Sequence, residues 1–227
     1  MHIERQLKSL LSFYFCAKYG EHQKTYLTET NYNYTSKNSQ NIKRLIKTLE
    51  KTITLPSSYH YITHYATKYK NVPLWIATNA LTFGQISKMY QYSPSDIRTK
   101  ISLHFSCITE FQFHQFIRIL ACCRNICAHN ERLFSFHVNE AIPNMTLHHK
   151  LKLPKAKDQY TIEKNDLFAI VIGLRYLIDN QDFKKFKTEL KHLINSILKK
   201  CPHINREILY SKMGFPNNWE NIARYKK

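Results

Sequence analysis

The sequence predicts an all-α protein, and three observations carry that expectation. Apolar residues recur at spacings of three and four along nearly the whole chain, the period of a helix with one buried face. Only four glycines and seven prolines occur in 227 residues, which argues against a turn-rich β-sandwich or a glycine-rich nucleotide loop. A hydrophobic content of 43% beside 22% charged residues is that of a folded chain. The length suits one ordinary domain, and no repeat or low-complexity segment interrupts it. A single helical domain over residues 1–227 is expected.

The elements follow from local pattern. Ile3, Leu7, Leu10, Leu11, Tyr14 and Phe15 form a helical stripe that stops at Gly20. Residues 28–40, rich in Asn, Thr, Ser and Tyr, read as a polar loop. Ile42, Leu45, Ile46, Leu49 and Ile53 mark the next helix, with Pro56 beyond its end. Tyr59 to Tyr69 is a short aromatic helix, and Pro73 is placed to begin one carrying Leu74, Trp75, Ala77 and Leu81. Ser93-Pro94-Ser95-Asp96 signals a start for Ile97 to Phe105. A long helix spans Ile108 to His129, and residues 135–160 then show no period and read as an extended loop with room for a short strand. Helices near 163–180 and 183–199 and a shorter one near 204–212 complete the pattern.

The strongest compositional signal is charge. Thirty-four Lys and Arg stand against sixteen acids, a formal net charge of +18, and such a field draws polyanions, nucleic acid first and an acidic membrane surface second. The six cysteines, Cys16, Cys107, Cys122, Cys123, Cys127 and Cys201, lack the paired spacing of a secreted disulfide framework and point to the reducing cytoplasm. The start, Met1-His2-Ile3-Glu4-Arg5, lacks the apolar core of a signal peptide. The longest apolar run, Leu167 to Leu174, is far too short to span a bilayer. No membrane partner is expected.

Chemistry concentrates at the end of the long helix, in Arg124-Asn125-Ile126-Cys127-Ala128-His129, followed by Asn130, Arg132, Leu133 and Phe134. Each helical residue turns roughly 100°, so Asn125 and His129 share a face, and Arg124 lies one step round with a side chain long enough to swing toward the imidazole. An RNA strand carries its own nucleophile, the 2′-hydroxyl. Cleaving it takes a base near that hydroxyl, a cation on the phosphate and a proton donor for the leaving 5′-oxygen. Histidine suits the proton work, with an unperturbed pKa of about 6.5. Arginine grips two phosphate oxygens and stays charged. No cofactor is required. One chain supplies one such histidine, so a homodimer with a composite site is the natural arrangement.

Arg124-Asn125-Ile126-Cys127-Ala128-His129-Asn130-Glu131-Arg132-Leu133-Phe134 resembles the RN-x-x-AH…RLW signature of the Abi (abortive infection, AbiD/AbiF-like) family of the HEPN superfamily. Three further blocks resemble that family in order along the chain. They are Ile3 to Ser9, then His64-Tyr65 through Pro73-Leu74-Trp75 to Leu81-Thr82-Phe83-Gly84-Gln85-Ile86-Ser87-Lys88, and finally Met213-Gly214-Phe215-Pro216-Asn217-Asn218-Trp219. The resemblance implies a HEPN-like helical bundle with a long irregular loop after the motif helix, dimerisation, and metal-independent endoribonuclease activity in phage defence. Carried over residue by residue, it makes Arg124, Asn125 and His129 catalytic. Family members usually carry further helices before the first block, on which this sequence almost begins. Asn79 or Ala80 stands where the family has an acid, and Phe134 where it has tryptophan.

Supporting positions are Asn130, Arg132, Glu4 on the first helix, and Lys150 and Lys152 of the basic run Lys150, Lys152, Lys155 and Lys157. Each has a plainer reading as a cap, a structural tie or a solvated charge. Taken alone, His129 reads as a helix-end residue satisfying carbonyls; with the flanking blocks the catalytic reading leads. Cys123, Cys127 and His129, or His60 and His64, are incomplete as zinc sets, and Cys127 beside His129 lacks an orienting partner as a nucleophile. The leading expectation is therefore an RNA-cleaving homodimer. The alternatives are a non-catalytic module holding a small non-coding RNA in a defence or toxin–antitoxin complex, with an antitoxin-like partner, or an interaction scaffold with incidental charge.

Overall fold

A computed structural model describes residues 2–105, 108–156, 159–160 and 164–225. It is all-α, as the periodicity predicts, apart from one minimal ladder. The chain divides into two compact units, Met1–His104 and Phe105–Lys227.

In the first unit α1 (His2–Tyr19) buries Ile3, Leu7, Leu11 and Phe15, spaced four apart on one stripe. It ends where Gly20 takes a φ of +89°, a conformation open to glycine without a Cβ penalty. A short α2 (Gln23–Tyr26) follows. The polar loop then packs through tyrosines rather than staying free. Tyr26 donates its hydroxyl to the Val72 carbonyl at 2.6 Å, and Tyr32 donates to the Tyr26 carbonyl at 2.6 Å. Helix α3 (Ser39–Ile53) buries the five aliphatic residues that its pattern predicts. Helix α4 (His60–Lys68) buries Ile62 alone.

The helix expected from Pro73 to Leu81 is broken. Helix α5 (Leu74–Ala77) passes into a 3-10 turn at Thr78–Ala80, and α6 (Phe83–Tyr92) starts afresh. The cause is a capping box: Thr82 Oγ1 accepts the Gln85 N–H at 3.3 Å, and Gln85 Oε1 accepts the Thr82 N–H at 2.7 Å. Helix α7 (Ser95–Ser102) begins behind Pro94, and Lys18 of α1 pairs with its Asp96 at 2.7 Å.

The second unit is built on α8 (Glu110–Ala128), whose start is fixed by a second capping box between Thr109 and Gln112. The stretch after it, expected to be irregular, holds α9 (Thr146–Lys150) and an antiparallel ladder of β1 (Lys155–Ala156) with β2 (Gln159–Tyr160). Cys107 and Lys157 lie outside the described residues. In α10 (Leu167–Leu177) every residue except Leu174 is buried, so it reads in sequence as a continuous apolar run. Gly173 lets it approach α8, since a Cβ there would lie 3.1 Å from Phe116 Cδ1. The amphipathic α11 (Asn180–Lys200) follows, capped by Asp179, and α12 (Arg206–Met213) precedes the buried Phe215 and Trp219. Among the described residues, no helix is long and apolar enough to cross a membrane.

Candidate active site

Helix α8 presents two rows of side chains that diverge in fate. Phe113, Phe116, Ile117, Leu120 and Ala121 are buried, and Arg124 continues their stripe one turn past the point where the core stops, so it is exposed. The second row, Arg118, Cys122 and Asn125, faces solvent and leads to His129 at the helix end. The helical hydrogen bond from the His129 N–H to the Asn125 carbonyl, 3.0 Å, carries the regular geometry to that point. Asn125 and His129 are thus stacked one turn apart, as the spacing predicts. Arg124, Asn125 and His129 are all exposed, and their side chains make no hydrogen bond or ion pair among the described residues.

The backbone that sets His129 is closed by a Schellman turn. Asn130 adopts a left-handed φ of +56°. The Asn130 N–H reaches the Cys127 carbonyl at 3.3 Å, and the Glu131 N–H reaches the Ile126 carbonyl at 3.0 Å, satisfying carbonyls that a helix end otherwise leaves open. Asn is the residue after glycine most tolerant of this conformation. Asn130 therefore has a structural duty, whatever else it contacts. His129 is the helix C-cap, with its side chain in solvent.

Beside the second row runs a cleft of about 490 Å³ between α8 and residues 136–142. Asn125, Gln115, Arg118 and Cys122 line its helix wall, and His137 and Glu140 line the facing one. Arg118 and Glu140 form a two-pronged ion pair across it, and the guanidinium hydrogen bonds hold the Glu140 carboxyl below its usual range. Asn125 belongs both to the motif and to this cleft. The sequence singled out none of Gln115, Arg118, His137 and Glu140. A row reading of α8 at 115, 118, 122 and 125 would have found the helix wall; the facing wall depends on a loop path that no periodicity encodes.

The supporting positions fall into different settings. Arg132 is exposed and has no ion pair among the described residues. Glu4 pairs with Lys8 at 3.2 Å along α1, and Lys8 also donates to the Leu81 carbonyl at 2.7 Å. Lys150 closes α9 half-buried. Lys152 follows with a φ of +54° and lines a second cleft, of about 820 Å³, with His137, Asp166 and Glu207. Cys123 lies half-buried against Cys127, and burial first, then that neighbour, pushes its thiol up to about 12, so it holds no thiolate at neutral pH. Among the described residues, no three His, Cys, Asp or Glu side chains converge as a metal site.

Compared with known families, the chain matches the family model described as Abi-like protein over residues 1–135, a span that runs from α1 through the motif at the end of α8. No curated protein and no solved structure matches it.

Proposed function

This chain belongs to the Abi-like protein family, whose name implies a role in abortive infection, and from that premise we propose that it is a HEPN-type endoribonuclease acting as a homodimer. The observation that carries this reading is the state of the motif: a guanidinium, an amide and an imidazole on one helix end, exposed and without partners among the described residues. Polar groups that the core holds are buried and paired; these three are neither, and so are accessible to a ligand. The net charge of +18 suits RNA as that ligand.

Cleavage proceeds by attack of the RNA 2′-oxygen on its own phosphorus. His129 of one copy removes the 2′-hydroxyl proton as the O2′–P bond forms. Arg124 holds the non-bridging oxygens, whose charge grows in the transition state. The P–O5′ bond then breaks, and His129 of the second copy gives its proton to the departing 5′-oxygen. The products are a 2′,3′-cyclic phosphate and a 5′-hydroxyl. Asn125, stacked one turn below His129, orients the imidazole or donates to the phosphate. Water, a metal and a covalent intermediate play no part in this balance.

The test is cleavage of single-stranded RNA in EDTA. His129→Ala and Arg124→Ala each abolish it while helicity and dimer mass stay unchanged. Undiminished cleavage by either variant would overturn the assignment. Intact bound RNA, held in a salt-sensitive way and indifferent to His129→Ala, would instead identify a non-catalytic RNA-binding module.

A further inference from the structure

Between Glu50 and Asp96 the chain contains no carboxylate, and within that stretch α4 and its flanks carry rings that the core does not use. Helix α4 buries only Ile62. Tyr59, Tyr61, Tyr69 and Trp75 remain 41%, 36%, 55% and 39% exposed. The tyrosines gather instead on the surface. Tyr59 and Tyr61 lie 5.5 Å apart between ring centroids, Tyr65 and Tyr69 lie 5.3 Å apart, and His64 sits 5.8 and 5.9 Å from the second pair. Lys68 extends its ammonium over Tyr69 at 5.3 Å. Exposed Lys68 and Lys70, and Lys51 at the end of α3, form no ion pair among the described residues.

Scattered exposed hydrophobes need no explanation, but a cluster does. Exposed rings interleaved with cations, in a stretch of sequence without acids, match a single polynucleotide strand. Bases stack on the rings with little regard to sequence, while the ammonium groups neutralise phosphates. A protein partner of equal fit would have to bring both acids and stacking rings.

We propose that the α4 face, built from Tyr59, Tyr61, Tyr65, Tyr69, Lys68 and Lys70, is a stacking surface for single-stranded RNA. The choice of RNA rests on the proposed substrate; the surface itself lies in the first unit and contains none of the catalytic groups. It holds the strand without regard to base identity and supplies no chemistry.

The experiment is a fluorescence-anisotropy titration of a labelled twelve-nucleotide oligodeoxyuridylate, which lacks the 2′-hydroxyl that cleavage requires, against the full chain, at low salt in EDTA. Tyr61→Ala and Tyr69→Ala are each expected to weaken binding about tenfold, the size of one lost base stack. Tyr69→Phe retains wild-type affinity, because the ring and not the hydroxyl does the holding. Lys68→Gln with Lys70→Gln, at exposed sites where folding is not in question, lowers the salt slope by roughly 1.4, the single-strand value for two phosphate contacts. Binding within twofold of wild type in the tyrosine variants and an unchanged salt slope in the lysine variant would overturn the proposal. So would tight binding of phosphatidylserine vesicles by a chain that ignores the oligonucleotide. The deoxy strand separates the two readings: its binding reports this surface alone, whereas loss of RNA cleavage in His129→Ala bears only on the nuclease.

Discussion

The Asp166 carboxylate rests directly on the Cα of Gly214. Asp166 caps α10, accepting the Ala169 N–H at 3.0 Å. Gly214 closes α12 with a φ of +71°, in a Schellman turn formed by the Gly214 N–H to the Ser211 carbonyl and the Phe215 N–H to the Tyr210 carbonyl. A Cβ at Gly214 would overlap the carboxylate. The start of one helix is thus seated on the end of another.

Gly214→Ala is therefore expected to destabilise the protein by at least about 2 kcal/mol, from left-handed strain together with the overlap. Asp166→Ala alone costs about 1 kcal/mol as a lost cap. The double variant removes the overlap, so its loss falls short of the two singles added. Denaturant melts of the four proteins measure this; strict additivity would mean that the two residues do not press on each other.

Asn130 offers a sharper separation of fold from chemistry. Asn130→Gly keeps the left-handed turn and leaves both melting and RNA cleavage near wild type. Asn130→Val opposes the turn at a cost of about 1–2 kcal/mol and shifts His129, so cleavage falls with stability. Cleavage that is lost in the glycine variant would assign Asn130 a direct contact with RNA.

The Arg118–Glu140 pair sets a pH signature. Its partner's hydrogen bonds lower the Glu140 pKa in the folded protein, so the pair's contribution is present above the ordinary glutamate range. It is lost as pH falls through the lowered value. Both side chains are partly exposed, which holds the contribution under about 1 kcal/mol. The stability gap between wild type and Glu140→Gln should be measurable by urea melts at pH 7 and shrink as pH is lowered below the ordinary glutamate range. A gap that persists in acid would point to a role for Glu140 other than its charge.

Much of this architecture is written in short-range pattern. The stripe Ile3, Leu7, Leu11, Phe15 and the five aliphatics of α3 place their helices because a buried face imposes its period on the sequence. The motif is equally legible, since Arg124, Asn125 and His129 sit on regular helix almost to its last residue. What periodicity misses is decided by single polar bonds or by long-range closure. The break before α6 hangs on Thr82 and Gln85. Helix α9 is only five residues long, too short to show a period. The wall carrying His137 and Glu140 depends on the Val138 N–H reaching the Asn165 carbonyl at 2.8 Å, a contact between residues far apart in the chain.

Alanine at Arg124, Asn125 or His129 should leave the melting free energy within about 0.5 kcal/mol of wild type, as at surface positions with no partner to lose. A larger drop in any of the three would reveal a contact that holds the fold.

That expectation carries a consequence for how such a protein can vary over time. The motif side chains hang on a helix end that the backbone closes by itself, so on the proposed reading inactivation and misfolding are separate events. Under that reading a lineage can silence the chemistry with one substitution and still keep a folded protein, or restore it by one reversion, without passing through an unstable ancestor.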